Sequence, residues 1–305
     1  MRILFAGNNK RGVVCFEHLL NKGFNVVAAI SHPPVNEEGG HYSSIREVVT
    51  KSKIPLYHPV NINSKDFVEI IRTVIRPDLI VLVGYAQLIK EKILGIPKHG
   101  CINLHASPLP YYRGAAPLNW MLINGEKKGA LSIIKVDEGV DTGDILKQIT
   151  FDIKKDYDIN NLIAISLKEY PNMLCDVIAE IANGKCKSIK QDSKSGSYFT
   201  KRFPRDGYIN FSLMTAEQIH NKIRALTKPY PGAFSFYNKN KVFFLKSSLI
   251  ETNYLGIPGR IAAKNENSMI VICKDRGICL EKIEIENKSI DQNLKLFKVG
   301  TDFDT

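Results

Sequence analysis

DLIVLVGY, residues 78–85, is an unbroken apolar run of strand length, and its reading decides the fold. A strand with one wet face alternates apolar and polar residues, whereas a run without alternation is covered on both faces, as in a parallel sheet flanked by helices. The neighbouring stretches agree. SKDFVEIIRTVI (64–75) has helical periodicity and stops ahead of Pro77, as expected where a proline follows. MRILFA (1–6) and FNVVAAISH (24–32) are strand-like, with the helical VVCFEHLLNKG (13–23) between them, and SIREVVTKSK (44–53) is a helix ending before Pro55. Alternating strands and helices predict an α/β fold: a Rossmann-like, doubly wound, mostly parallel sheet over residues 1–200.

Leu162 to Asn183 fits one long amphipathic helix ending at Gly184, after which a polar, turn-rich segment predicts a linker near 190–207. Beyond it come a helix (TAEQIHNKIRAL, 215–226) and a hairpin (FSFYNKNKVFFLKSS, 234–248) with its turn at Asn238–Asn240. The short strands GRIAAK, SMIVICK and ICLEKIEI follow. Residues 201–305 are therefore expected to form a small C-terminal β-rich domain, barrel-like in the OB manner.

The 305 residues suffice for two domains, and 44% hydrophobic with 24% charged residues is an ordinary globular composition. The first apolar run is broken by Asn8, Asn9, Lys10 and Arg11, unlike a signal peptide. No apolar stretch approaches the roughly 18 residues of a membrane span. A cytoplasmic protein without membrane contact is expected. Six scattered cysteines without Cys-x-x-Cys spacing are expected to be reduced thiols, with no metal site. Of the net charge of +11, residues 201–305 carry 17 Lys+Arg against 11 Asp+Glu. That surplus suits a phosphate-bearing partner, although a Lys- and Asn-rich composition produces basic surfaces without one.

Ligands of open parallel sheets bind outside the carboxyl ends of the strands. Gly84-Tyr85 and Asn103–His105 both lie at such ends. Asn103 and His105, two apart in a strand, project to one side, and Asp141 follows in a loop bounded by Gly139 and Gly143. An amide, an imidazole and a carboxylate together make a proton-transfer and oxyanion-stabilising site. Taken singly each has a bland reading: a satisfied structural histidine, a turn-bonding amide, a turn-forming carboxylate. Gly7–Gly12 follows strand one and opens a helix, so Asn9, Lys10 and Arg11 are candidate phosphate contacts. Two glycines at that spacing are not a dinucleotide fingerprint.

Asn103-Leu104-His105, Leu109-Pro110, Tyr112-Arg113-Gly114 and the run Asp137-Glu138-Gly139-Val140-Asp141-Thr142-Gly143, in this order and spacing, resemble the signature of the 10-formyltetrahydrofolate-dependent formyltransferases. Ala106 and Pro108 depart from the residues common there. The resemblance implies that Asn103, His105 and Asp141 are catalytic. In formyl transfer Asn103 and protonated His105 would donate to the developing oxyanion, and Asp141 would hold the imidazolium in its charged form. It also implies that the pterin of the donor, 10-formyltetrahydrofolate, lies against Gln87, Leu88 and Ile89 and the loop of Asp137, Glu138, Gly139, Val140 and Asp141. Tyr85 stacks or packs there, and Arg113 pins the loop.

Within that family the chain is most similar to enzymes acting on nucleotide-linked 4-amino sugars (UDP-4-amino-4-deoxy-L-arabinose or dTDP-amino sugars). The resemblance rests on Ala116–Trp120, Asn124–Glu126 and Ile223–Phe234, with Arg202 and Arg224 as further acceptor contacts. Ala115, where the arabinose enzyme has Arg, points toward a deoxyhexose. Methionyl-tRNA formyltransferase is the alternative, but its basic loop is missing: SHPPVNEEGGHYSSI (31–45) has two glutamates and no Lys or Arg, a poor grip for an acceptor stem. A binding module or a hydrolytic domain is the third reading. A nucleotide-sugar partner, no nucleic acid and a homodimer are expected, serving surface polysaccharide or lipid A modification.

Overall fold

The computed structural model describes residues 1–32, 45–192, 194–286 and 294–304. Most of the loop at 31–45 lies outside these. The chain divides into two compact units: Met1–Gly114, Lys128–Phe151 and Ile163–Phe199 form the first, and Ala115–Lys127, Asp152–Leu162 and Thr200–Thr305 the second. A single division at residue 200 therefore misses two segments, 115–127 and 152–162, that pack with the C-terminal unit.

In the first unit β1 (Ile3–Gly7), α1 (Asn9–Asn21), β2 (Val26–Ile30), α2 (Arg46–Ser52), β3 (Leu56–Tyr57), α3 (Lys65–Glu69), β4 (Leu79–Val83), α4 (Glu91–Leu94) and β5 (Cys101–His105) follow the expected alternation. α3 continues into a π-helical turn at Ile70–Ile75. Its N-terminus is capped by Ser64, whose hydroxyl accepts from the Phe67 N–H at 3.4 Å, and Arg76, in the left-handed region at φ 48°, ends it before Pro77. The seven-stranded sheet is ordered β3-β2-β1-β4-β5-β7-β8, where β7 is Lys128–Lys135 and β8 is Ile145–Asp152. Pairing is parallel from β3 through β5 and antiparallel between β5 and β7.

Every residue of β1 and of β4 is buried, which is what the unbroken apolar run at 79–83 demands. On one face Leu4, Ala6, Ile80 and Leu82 pack with Phe67, Val68, Ile71 and Ile75. On the other, Phe5 meets Phe16 of α1 edge to face at 5.2 Å. Each such buried side chain contributes about 1.5–3 kcal/mol. The register sets Leu82 beside Asn103, and His105 opposite Ser132 of β7. The long helix α6 (Ile159–Ala182) contains Pro171 and buries Tyr170 completely.

Of the segment expected to be a linker near 190–207, the residues up to Phe199 belong to this unit and those from Thr200 to the second. Ile189 forms a bridge with Ile145, Gln191 is buried, and β9 (Tyr198–Phe199) pairs in parallel with β6 (Arg113–Gly114). Most of its described residues face solvent, and Gln191 is a buried exception.

In the second unit α5 (Pro117–Ile123) is held to α7 (Ala216–Leu226) by Asn119, whose amide donates to the Ala225 carbonyl at 2.7 Å. Thr215 and Gln218 cap α7 reciprocally. The antiparallel sheet runs β10 (Ala233–Tyr237), β11 (Asn240–Leu249), β14 (Gly277–Ile285), β13 (Met269–Ile272), β12 (Ile261–Lys264). Residues 300–304 join its two edges. Thr301 O accepts from Ile261 N–H and the Phe303 N–H reaches Gly259 O on one side, while the Asp304 N–H reaches Phe236 O on the other. Phe303 anchors this closure in a ring cluster with Phe211, Tyr237, Phe244 and Phe297.

Among the described residues no helix is long and apolar enough to cross a membrane, and no His/Cys/Asp/Glu group is built to hold a metal. All six cysteines are free; burial pushes the Cys15, Cys101 and Cys273 thiols up to about 12.

Phe303→Ala should lower the unfolding free energy by about 3–5 kcal/mol, read by urea denaturation. His220, in contact with Ser247 Oγ at 3.0 Å, is pushed below the ordinary histidine value first by burial and then by Arg224, against the opposing pull of Glu217, Glu281 and the Lys155 backbone. The unfolded chain therefore takes up that proton first. Stability from the neutral ring is complete above the ordinary value and is lost as pH falls below it. Urea midpoints should drop between pH 7.5 and 5.5, and His220→Asn should shrink the drop.

Candidate active site

Asn103 and His105 leave β5 on the same side, at the edge where β4 also ends. Asp141 comes to them from the loop after β7, in the left-handed region at φ 54°. A non-glycine residue there costs about 1–2 kcal/mol and persists only when its surroundings impose it. They do so on both carboxylate oxygens. Oδ1 accepts from Asn103 Nδ2 at 3.3 Å, and Oδ2 accepts the Gly114 N–H at 2.9 Å and faces His105 Nδ1 at 3.4 Å. Oxygens of a carboxylate only accept, so the Asn103 amide must turn its NH2 toward Asp141. One hydrogen of that NH2 is engaged and the other is free.

His105 is 6% exposed, and its Nε2 lies 2.8 Å from the Tyr112 carbonyl oxygen. A carbonyl can only accept, so Nε2 carries hydrogen. The other nitrogen, Nδ1, faces a carboxylate, so the doubly protonated ring satisfies both contacts. When one proton leaves, Nε2 keeps its own on Tyr112 and the proton exchanged is the one on Nδ1. The arrangement can offer the remaining Asn103 N–H to a developing negative oxygen and move one proton at His105 Nδ1.

The turn that carries Tyr112 is braced by the buried hydroxyls of Ser107 and Ser132 and by the amide of the exposed Gln148. Ser107 Oγ donates to Tyr111 O at 2.9 Å, Ser132 Oγ to Ser107 O at 2.7 Å, and Gln148 Nε2 to Ser132 Oγ at 2.9 Å. Sequence reasoning missed all three of these residues, because a lone Ser or Gln in a strand carries no pattern.

The second loop at this edge, 84–89, is braced from beneath. Gln87 uses its whole amide on backbone: Oε1 accepts from Ile62 N–H, and Nε2 donates to Pro59 O and Val60 O. Its side chain is thus a brace and is not free for a pterin edge, which leaves only the backbone of Gln87 for the expected contact. Ile89 is buried in the core, whereas Leu88 is 64% exposed. The Tyr85 ring stacks on His32 at 4.6 Å, and its hydroxyl is buried; burial pushes that phenol up to about 12. His32 Nε2 accepts the Ala86 N–H at 3.1 Å, a bond open only to the ring lacking that proton, in keeping with the downward push of burial on this histidine. On the other loop Asp137 Oδ1 takes the Gly139 N–H and the Thr142 hydroxyl, which closes the turn. Glu138 is exposed, and Val140 is 42% exposed.

The phosphate contacts fare differently. Asn9 Oδ1 accepts the N–H groups of Arg11 and Gly12, the donors a phosphate would need, so Asn9 is a helix cap rather than a phosphate contact. Lys10 is exposed beside it. Arg224 is committed within its own unit, to Asn221 Oδ1 and Tyr157 O, which corrects its expected role on an acceptor. Arg202 lies over the Tyr230 ring at 5.8 Å, and its Nε is buried without a partner among the described residues. Burial pushes its guanidinium down, with Tyr230 and Asp206 opposing, an unbalanced cost that an anion would offset.

A formyl transferase family model matches residues 1–178, and a model of the formyl transferase C-terminal domain matches residues 202–298. The bifunctional polymyxin resistance protein ArnA of Wigglesworthia glossinidia brevipalpis is 34% identical over 317 residues; the match takes in 98% of this chain, which spans about half (48%) of that relative's length. A methionyl-tRNA formyltransferase of Clostridium novyi is 33% identical over 292 residues, 94% of this chain and 93% of its own. Among solved structures, the sugar 3N-formyltransferase WlaRD, with dTDP and 5-N-formyl-THF, superposes with a TM-score of 0.68 at 23% identity over 95% of this chain and 99% of that one, a likeness of fold. The chain belongs to the formyl transferase family.

Gly143 has no room for a side chain, because a Cβ would run into the Lys135 carbonyl. Gly143→Ala should displace the Asp141 loop and lower kcat at least 100-fold, with far-ultraviolet circular dichroism unchanged.

Proposed function

We propose, from membership of the formyl transferase family as the premise, that this enzyme transfers the formyl group of 10-formyltetrahydrofolate to the amine of a nucleotide-linked amino sugar. The observation that carries the choice of acceptor is the stretch 31–45, which has two glutamates and no Lys or Arg where a tRNA would need cations. The half-buried, unpartnered Arg202 supports a diphosphate-bearing acceptor, as does the basic surplus beyond residue 201. Arg11 and Lys10, at the same sheet edge as the trio, are further candidates for phosphate. Exposed Leu88 and Val140, on the loops at 84–89 and 137–141, offer apolar cover to the flat donor ring.

In this reading the acceptor amine attacks the formyl carbon, and charge develops on the formyl oxygen. The N–H of Asn103 not given to Asp141 is the donor available to it, while His105, with Nε2–H on Tyr112 O, keeps Nδ1 for the proton. The C–N bond to the folate breaks, tetrahydrofolate leaves, and the proton shed by the amine is carried by Nδ1 of His105 to the departing nitrogen. Asp141 keeps the ring oriented and balances its charge. Removing a donor of this kind typically costs about 100- to 1,000-fold in kcat.

A second reading, methionyl-tRNA formyltransferase, is favoured by the Clostridium novyi relative, which this chain matches over 93% of that protein's length. The two separate cleanly in one assay. Tetrahydrofolate release should be driven by dTDP- or UDP-linked 4-amino sugars and not by methionyl-tRNA; turnover with the tRNA alone would reverse the assignment. Asn103→Ala and Asp141→Asn should each lower kcat at least 100-fold, and Arg202→Ala should raise the acceptor KM about tenfold with kcat little changed.

A further inference from the structure

We propose that Gln191 is a positioning residue for the transfer reaction: it holds Asp141 in its left-handed conformation and is itself held by the buried cation of Arg113. The proposal rests on the reading of Asp141 as part of the catalytic trio. Gln191 sits in a polar segment 50 residues from Asp141, and it is 7% exposed. Its Nε2 donates to the Asp141 carbonyl at 2.9 Å and to the Gly143 carbonyl at 2.7 Å. One amide thus fixes the 141–142 and 143–144 peptide planes, and with them the direction in which the Asp141 side chain leaves the backbone.

The acceptor end of the same amide is also saturated. Oε1 takes Arg113 Nε at 3.1 Å and Nη2 at 2.8 Å, a two-pronged contact that forbids the amide from flipping. Arg113 is 3% exposed; its remaining contacts are the Tyr198 hydroxyl, 3.4 Å from Nη1, and the Tyr198 ring beneath the guanidinium at 5.3 Å. Its side-chain partners among the described residues are thus a neutral amide and a phenol rather than a carboxylate. A buried guanidinium spent on an amide makes sense where the amide's orientation matters. The neighbouring backbone serves the same centre: Tyr112 O receives His105, Gly114 N–H binds Asp141, and the intervening Arg113 N–H is tied to Ser197 O. Gln191 and Ser197 therefore tie together the turn that meets the histidine and the loop that carries the carboxylate.

The test is Gln191→Glu. The new carboxylate keeps the pairing with Arg113 and the burial, but it loses both N–H donors and sets oxygen against two carbonyls. We expect kcat to fall 10- to 100-fold, KM for donor and acceptor to stay within twofold, and the thermal midpoint to stay within a few degrees. In the Asp141→Asn background the same substitution should change kcat less than twofold, because the position it holds is already spent. A role in stability alone would move the midpoint and lower kcat equally in both backgrounds, and that result overturns the proposal, as does unchanged kcat for Gln191→Glu. If Asp141→Asn itself retains full activity, the reading of the trio fails instead. Should Gln191→Glu not fold, Arg113→Lys keeps the buried charge and loses one prong; a three- to tenfold fall in kcat, absent in the Asp141→Asn background, supports the proposal, and equal falls in both sink it.

Discussion

The carboxylate of Asp141 is the constraint on which the rest of the centre depends. It receives an amide from Asn103, a peptide N–H from Gly114 and faces the ring of His105, the first and last from β5 and the second from β6. A carboxylate so surrounded orients all three, and it can do so only because its backbone is held in a conformation that L-residues avoid. The sheet supplies Asn103 and His105 at fixed separation. The loop has to be brought to them and kept there.

That division of labour explains the architecture. Strands β1 and β4, buried on both faces, form a rigid platform whose carboxyl edge carries the chemistry. Polar side chains then do at that edge what apolar ones do in the core. Gln87 fastens one loop to the backbone at 59–62, Gln191 fastens another, and Ser107, Ser132 and Gln148 support the turn between them. Each of these groups is satisfied, which matters because an unmatched buried amide costs about 1–3 kcal/mol. Rigidity at the edge therefore comes from saturated hydrogen bonding, and donors aimed in advance at a developing charge need no reorganisation when it appears.

The family and the reaction class were legible in Asn103-Leu104-His105 and the glycine-bounded Asp141 loop, and so was the sheet, from the unbroken 79–83 run. The small domain was legible from its short strands, although its closure by residues 300–304 was not: backbone hydrogen bonds to edges far apart in sequence leave no local pattern. Individual contacts were the least legible. Asn9 looked like a phosphate ligand and is a cap; Gln87 looked like a pterin contact and is a brace; Arg224 looked like an acceptor contact and ties two segments of its own unit. In each case residue type was right for either role, and what decides is which partner stands within 3 Å.

By itself the sequence determined the order of strands and helices, because periodicity and proline positions act over a few residues. It also determined which three residue types meet at the carboxyl edge. Tertiary structure alone decided that the polar stretch 190–199 belongs to the catalytic unit, and that Arg113 is buried against Gln191. It also decided that Nε2 of His105 meets the Tyr112 carbonyl while Nδ1 faces Asp141. These depend on hydrogen bonds spanning 7 to 78 residues of sequence, whose free energy exists only once distant backbone groups have been brought together and dried.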